Sequence, residues 1–178
     1  SIMSKKLAEG LTGLLLDVKV GSGAFITDDA GALALAEKMV AIGRTRGLPT
    51  LALLTAMDRP LGVAVGNGLE AAEAILCLRG EGPADLRELV VAEAAEMLRL
   101  GDPSIDAAQA ARRAETALGS GAPVERFRHM VEAQGGDASA VDRPERLYTA
   151  ALQSEVRAET AGTVVEVDHP GRGKYLTV

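Results

Sequence analysis

The chain has 178 residues, a net charge of −6 and a pI near 5.0, with 47% hydrophobic residues, 2% aromatics and no tryptophan. That length supports one domain with a sizeable core, and the composition demands a core of Leu, Val, Ala and Ile, which favours close-packed helices around aliphatic strands. The acidity argues against nucleic acid as a partner, because sequence-independent binding needs clustered Lys and Arg to displace counterions. Membrane insertion is equally disfavoured: apolar runs such as Leu14-Leu15-Leu16, which stops at Asp17, fall far short of the roughly 18 to 20 residues of a span. A soluble, cytoplasmic protein is expected.

In chain order, residues 1–10 carry a helical pattern that ends at Gly10, and the first of them is a serine rather than a methionine, so the sequence reads as a piece of something longer. An aliphatic strand follows at Leu14–Val20 and breaks in Gly21-Ser22-Gly23. Asp28 or Asp29 can cap a helix whose apolar positions Leu33, Leu35, Ala36, Met39, Val40 and Ile42 run to Gly43 or Gly47. Residues 50–55 read as a second buried strand. Two strands joined by a helix of this length predict a parallel βαβ unit with a right-handed crossover.

After Pro60 the pattern turns helical, at about 66–79, 83–100, 104–119 and 124–134, with Pro83 and Pro103 near helix starts, where a missing N–H costs little. The single cysteine, Cys77, lies between Leu76 and Leu78 and reads as a small buried hydrophobe rather than a nucleophile or half of a disulfide. Gly135-Gly136-Asp137 closes the helical block. A strand-like run at 162–167 opens a further segment that ends in the basic turn His169-Pro170-Gly171-Arg172-Gly173-Lys174. The expected fold class is α/β: a partial central sheet with a βαβ unit, a flanking helical block and the start of a β-rich C-terminal domain.

Five sequence words go further. They are S-I-M-S-K-K at 1–6, D-V-K-V-G-S-G-A-F at 17–25, M-D-R-P-L-G-V-A-V-G-N-G-L-E at 57–70, R-G-E-G-P-A-D-L at 79–86 and Q-G-G-D at 134–137. In order and spacing they resemble the thymidine and pyrimidine nucleoside phosphorylases, and the resemblance covers nearly the whole chain. It implies reversible phosphorolysis in pyrimidine salvage: thymidine or uridine plus phosphate gives the free base and a (deoxy)ribose 1-phosphate. It further implies phosphate as co-substrate, no organic cofactor and a homodimer in the full-length enzyme. On this resemblance residues 1–10 are the end of a helical lobe, 11–160 part of the α/β catalytic domain, and 161–178 the start of the C-terminal β-rich domain. The phosphate loop belongs before residue 1, so the chain by itself is expected to be inactive.

Ser1 and Lys5 are four apart, which on a helix puts a hydroxyl and an ammonium on one face with Cβ atoms roughly 6 Å apart. Such a pair can grip one planar ligand, although an arbitrary S-x-x-x-K is ordinarily solvated surface. In phosphorolysis negative charge builds on the departing base, and a fixed cation beside its oxygens stabilises that state more than the neutral ground state. The resemblance assigns the pyrimidine-base grip to Ser1 and Lys5, with Lys5 as the catalytic charge and an arginine, upstream, as third member. Ser4 and Lys6 point to other helix faces.

The resemblance also implies a monovalent cation, potassium, held by the backbone carbonyls of Leu61 and Ala64 and the carboxylate of Glu73, with further ligands before residue 1. Oxygen donors suit a hard cation, and the turn at Pro60-Leu61-Gly62 frees carbonyls that a regular helix would occupy. Without the resemblance Glu73 reads as an exposed helix glutamate. Gly21-Ser22-Gly23 could offer N–H groups to an anion, but it lacks the third glycine of a dinucleotide fingerprint and the Gly-Lys-Ser/Thr of a P-loop. Asp17 and Lys19 share one strand face and read as a structural charge pair. Thr27 stands where the family has a lysine. His129 and His169 have no metal-site context and read as surface residues.

Two other classes compete. One is a phosphoribosyl-transferring enzyme, against which the first two words argue. The other is a carrier module built on the β-rich tail, which would need a modifiable lysine at a hairpin tip; Lys174 sits in a Gly-Arg-Gly-Lys turn without that context.

Overall fold

The computed structural model describes residues 2–164. Ser1, His169, Lys174 and the basic turn therefore lie outside the described residues. The elements are α1 (Ile2–Ala8), β1 (Leu14–Val20), α2 (Asp29–Thr45), β2 (Thr50–Ala56), α3 (Asn67–Leu78), α4 (Ala84–Gly101), α5 (Ala107–Leu118), α6 (Ala122–Ala133) and α7 (Ser139–Asp142), followed by a 3-10 turn at Pro144–Leu147.

The two strands pair in parallel, Leu14 opposite Thr50 through to Val20 opposite Ala56, and α2 packs across them. Asp28 starts that helix. Its backbone is extended and its side chain accepts the Gly31 N–H at 2.8 Å, supplying one of the acceptors that a helix N-terminus lacks. Ala32, Ala36, Met39 and Gly43 form the inward stripe of α2. The small members let the helix approach closely: the Thr50 side chain fills the space that a Cβ on Gly43 would need. Met3, Leu14, Val18, Ala32, Ala36, Met39 and Leu48 make the core, with Leu7, Leu16 and Val20 packed against it. Each large aliphatic side chain so buried contributes about 1.5–3 kcal/mol.

β2 is only half-buried, contrary to the buried strand expected there. Leu51 and Leu54 leave 38% and 40% of their surface exposed, because among the described residues β1 is the only strand paired with it. A second cluster joins α4 to α5 through Ala95, Ile105, Ala110 and Ala114. Cys77 is buried on α3, against Gly82, where an added Cβ would lie 2.7 Å from the Cys77 Cα. Burial pushes its thiol above the ordinary cysteine value.

The helix expected from 104 begins at Ala107. The Asp102 carboxylate accepts from both the Ser104 N–H (3.1 Å) and hydroxyl (2.6 Å), turning the chain around Pro103, and Asp106 then caps Gln109 at 2.7 Å. The helix expected from 124 starts two residues earlier, at Ala122, behind a left-handed Gly121. Neither α7 nor the 3-10 turn was expected, since four residues carry no periodicity. They are held from a distance: the Arg79 guanidinium donates to the Val141 and Asp142 carbonyls at 2.5 and 3.0 Å, and Arg128 pairs with the Asp142 carboxylate. Of the strand expected at 162–167, residues 162–164 have no regular structure, and the rest lies outside the described residues.

Candidate functional site

Lys5 lies on the open side of α1. Met3 is buried in the sheet core and Leu7 packs against it, so the four-residue spacing that anchors the helix leaves Lys5 exposed to solvent. Neighbouring Lys6 pairs with Glu9 at 3.1 Å, whereas among the described residues Lys5 makes no ion pair. Its ammonium is available to a ligand.

The segment after β1 is closed to anions. Gly21 N–H donates to the Ile26 carbonyl (3.3 Å), Ser22 N–H to Asp58 Oδ1 (2.8 Å) and Gly23 N–H to the Met57 carbonyl (2.8 Å). Each amide has one proton to give, so the anion this loop binds is the protein's own Asp58. Asp58 lies within the 57–70 sequence word, where no spacing or neighbour marks it for this role. Phe25, on the same loop, is 92% exposed, and Thr27 is exposed too.

On the sheet, Asp17 and Lys19 form the expected pair at 2.5 Å, and the Thr55 hydroxyl of β2 donates to Asp17. A fourth member comes from α4. Burial raises the pKa of Glu93, and the nearby Asp17 charge raises it further against an opposing pull from Lys19. No sequence signal marked Glu93.

The loop at 61–66 is the most heavily tied. Glu73 is 7% exposed, correcting its reading as an exposed helix residue: it turns inward because its Oε1 accepts the N–H groups of Val63 (3.0 Å) and Ala64 (3.1 Å). Its other oxygen lies against Gly62, where any Cβ would overlap the carboxylate and where φ is 72°. Gly62 N–H donates to Asp85 Oδ2 at 3.1 Å, and Asp85 Oδ1 accepts from the Leu86 N–H at 2.9 Å. The Gly62 N–H is the main reason that the Asp85 carboxyl is held below the usual carboxylate range. Glu70 closes the far end, accepting the Gly66 N–H at 2.8 Å.

Glu73 of α3 is thus brought against the loop that carries Leu61 and Ala64, while Lys5 belongs to a separate element and Ser1 lies outside the described residues. The donor set fits a monovalent cation. Glu73 is a buried carboxylate met by amides and, among the described residues, by no Lys or Arg within ion-pair distance, and the remaining donors are hard backbone oxygens. Among the described residues no group of three His, Cys, Asp or Glu offers a transition-metal site, and no helix is long and apolar enough to cross a membrane.

A parallel βαβ unit whose loops gather at the carboxyl ends of its strands defines an α/β domain of the kind that binds ligands at that edge. The chain belongs to the glycosyl transferase family, a/b domain, which it matches over residues 1–124. It is similar to the pyrimidine-nucleoside phosphorylases of Bacillus subtilis (strain 168), Staphylococcus aureus (strain USA300) and Staphylococcus haemolyticus (strain JCSC1435). The identity to each is 44% over 167 residues, which is 94% of this chain and 39% of the relative. The chain therefore spans about two fifths of the length of these curated relatives, or 39%. The resemblance read from the five sequence words is to this family.

Proposed function

We propose that the chain supplies the pyrimidine-base half of a nucleoside phosphorylase site, in a cytoplasmic, homodimeric pentosyltransferase that cleaves thymidine or uridine with phosphate. The observation that carries this is the 44% identity to pyrimidine-nucleoside phosphorylases over 94% of the chain, with Lys5 held on the open face of α1.

In this reading Ser1 and Lys5 hold the base oxygens. The ammonium of Lys5 sits where negative charge gathers as the glycosidic bond opens, and so it stabilises the transition state more than the bound nucleoside. Phosphate, held by residues outside this chain, attacks the anomeric carbon from the opposite side. No organic cofactor takes part. A potassium ion, where bound, supplies positive charge to Glu73; the Leu61 and Ala64 carbonyls and the Glu73 carboxylate would hold it. Residues 1–10 close a helical lobe, 11–160 belong to the catalytic α/β domain, and 161–178 begin a further domain.

The test is a chimera in which the chain replaces the matching 167-residue segment of the Bacillus subtilis relative. Phosphate-dependent release of uracil or thymine is expected from the folded chimera, and a folded chimera without it would overturn the proposal. The 178-residue chain alone is expected to release no base. Turnover that tracks it through purification would place a phosphate site within these residues.

A further inference from the structure

We infer that Asp85 is the positioning residue for the carbonyl of Leu61. The inference presupposes the cation reading proposed above and extends it to a residue outside the ligand set. In a trans peptide the C=O and the following N–H point in opposite directions across one rigid plane, and the described residues contain no cis bond. Whatever accepts the N–H of a residue therefore aims the carbonyl of the residue before it.

Glu73 accepts from Val63 and Ala64, and so aims the carbonyls of Gly62 and Val63. It does nothing for Leu61. The plane that carries the Leu61 carbonyl is the one whose N–H belongs to Gly62, and that N–H goes to Asp85 Oδ2 at 3.1 Å. Leu61 is exposed and its side chain offers no anchor of its own. Gly62, with φ 72°, is a residue type that turns freely unless something holds it.

Asp85 is well built to hold it. It stands in the first turn of α4, a different helix from that of Glu73, and its second oxygen is fixed by the Leu86 N–H at 2.9 Å. The loop is thus clamped from two helices, one carboxylate aiming each side of Gly62. Removal of Asp85 frees one peptide plane, leaves the Glu73 bonds in place, and loosens one proposed ligand without touching the others.

The experiment is thermal unfolding of the chimera described above, which restores the segments where the resemblance places the remaining ligands, in KCl up to molar concentration, against choline chloride at matched ionic strength, for the wild-type sequence, Asp85→Ala and Asp85→Asn. Wild type is expected to gain Tm with potassium along a saturating curve. Asp85→Ala should raise the midpoint concentration by about tenfold. Asp85→Asn, whose amide oxygen still accepts from Gly62, should stay within about threefold of wild type, a rescue that a charge effect or a general loss of stability would not give. If wild type shows no potassium dependence beyond the choline control, the cation reading itself falls. If wild type responds and Asp85→Ala keeps the same midpoint, the cation reading stands and the role of Asp85 falls. Should Asp85→Ala not fold, Asp85→Glu, with its oxygens displaced by one methylene, is read in its place, and an unchanged midpoint there overturns the inference equally.

Discussion

The carboxylate of Asp58 occupies the space where a side chain on Gly21 would have to stand: a Cβ there would lie 2.6 Å from Oδ1 and 2.7 Å from Cγ. Gly21 also has φ 133°, a backbone region that L side chains rarely adopt. Gly21→Ala must therefore both strain its own backbone and displace the acceptor of the Ser22 N–H. The expected cost is about 1–3 kcal/mol from the backbone alone, read as a lower urea midpoint at unchanged m-value. A variant as stable as wild type would mean that the backbone at Gly21 relaxes without strain and that the Asp58 carboxylate moves aside freely rather than holding the loop.

A second substitution separates two aspartates that the sequence leaves equivalent. Asp28 and Asp29 can each cap α2 on pattern alone; in the structure Asp28 is the cap and Asp29 the first helical residue. Asp28→Ala should cost about 1 kcal/mol. Asp29→Ala loses only a favourable charge near the helix N-terminus, at most about 0.3–1 kcal/mol at low salt, and should become nearly neutral as salt is added. Denaturant unfolding of both variants at two salt concentrations checks the assignment.

The contrast between these residues shows where the sequence was legible. β1, α2 and the cap of α2 follow from neighbours a few residues apart, so periodicity and turn chemistry place them closely. The inward turn of Glu73 could not be read that way: its helix offers many exposed carboxylates, and the reason it is buried lies in the backbone of a loop about ten residues earlier. α7 escaped because its anchors, Arg79 and Arg128, are distant in sequence. β2 misled for the opposite reason. Its aliphatic run has the composition of a covered strand, yet composition cannot say whether a neighbour lies along the outer edge. Lys5 is a different case again, since geometry shows only an open ammonium, and its assignment rests on the family words around it.

The raised pKa of Glu93, packed beside Asp17, gives a pH signature with a definite sign. Folding raises the pKa of Glu93, so the folded state binds this proton more tightly than the unfolded state does. Below the unfolded value of about 4.3 both states are protonated and Glu93 does not weaken the fold. As pH rises from there through the folded pKa, the unfolded chain releases its proton first, and stability from this residue is lost and stays lost. Glu93→Gln removes the titration while keeping the size and shape of the side chain. The variant should match wild type near pH 4 and show a higher Tm at pH 7. An equal Tm at pH 7 would mean that the carboxyl pays no penalty for its place on the sheet.

The remaining prediction concerns chemistry, in the chimera described above. Lys5 is exposed on α1 and makes no ion pair among the described residues, so its removal should leave folding almost untouched, as surface substitutions usually do. If its ammonium meets charge that develops only as the glycosidic bond opens, its loss must appear in the chemical step. Lys5→Ala should then lower kcat/KM by at least about two orders of magnitude, the usual scale for a removed transition-state stabiliser. The fall should be in kcat more than in the KM for phosphate, because phosphate approaches from the other side of the sugar. Lys5→Arg keeps the charge but spreads it over a plane with a different reach, and should recover only part of the loss. A Lys5→Ala chimera that phosphorolyses uridine at nearly the parent rate would remove Lys5 from the site and leave α1 with a structural role alone.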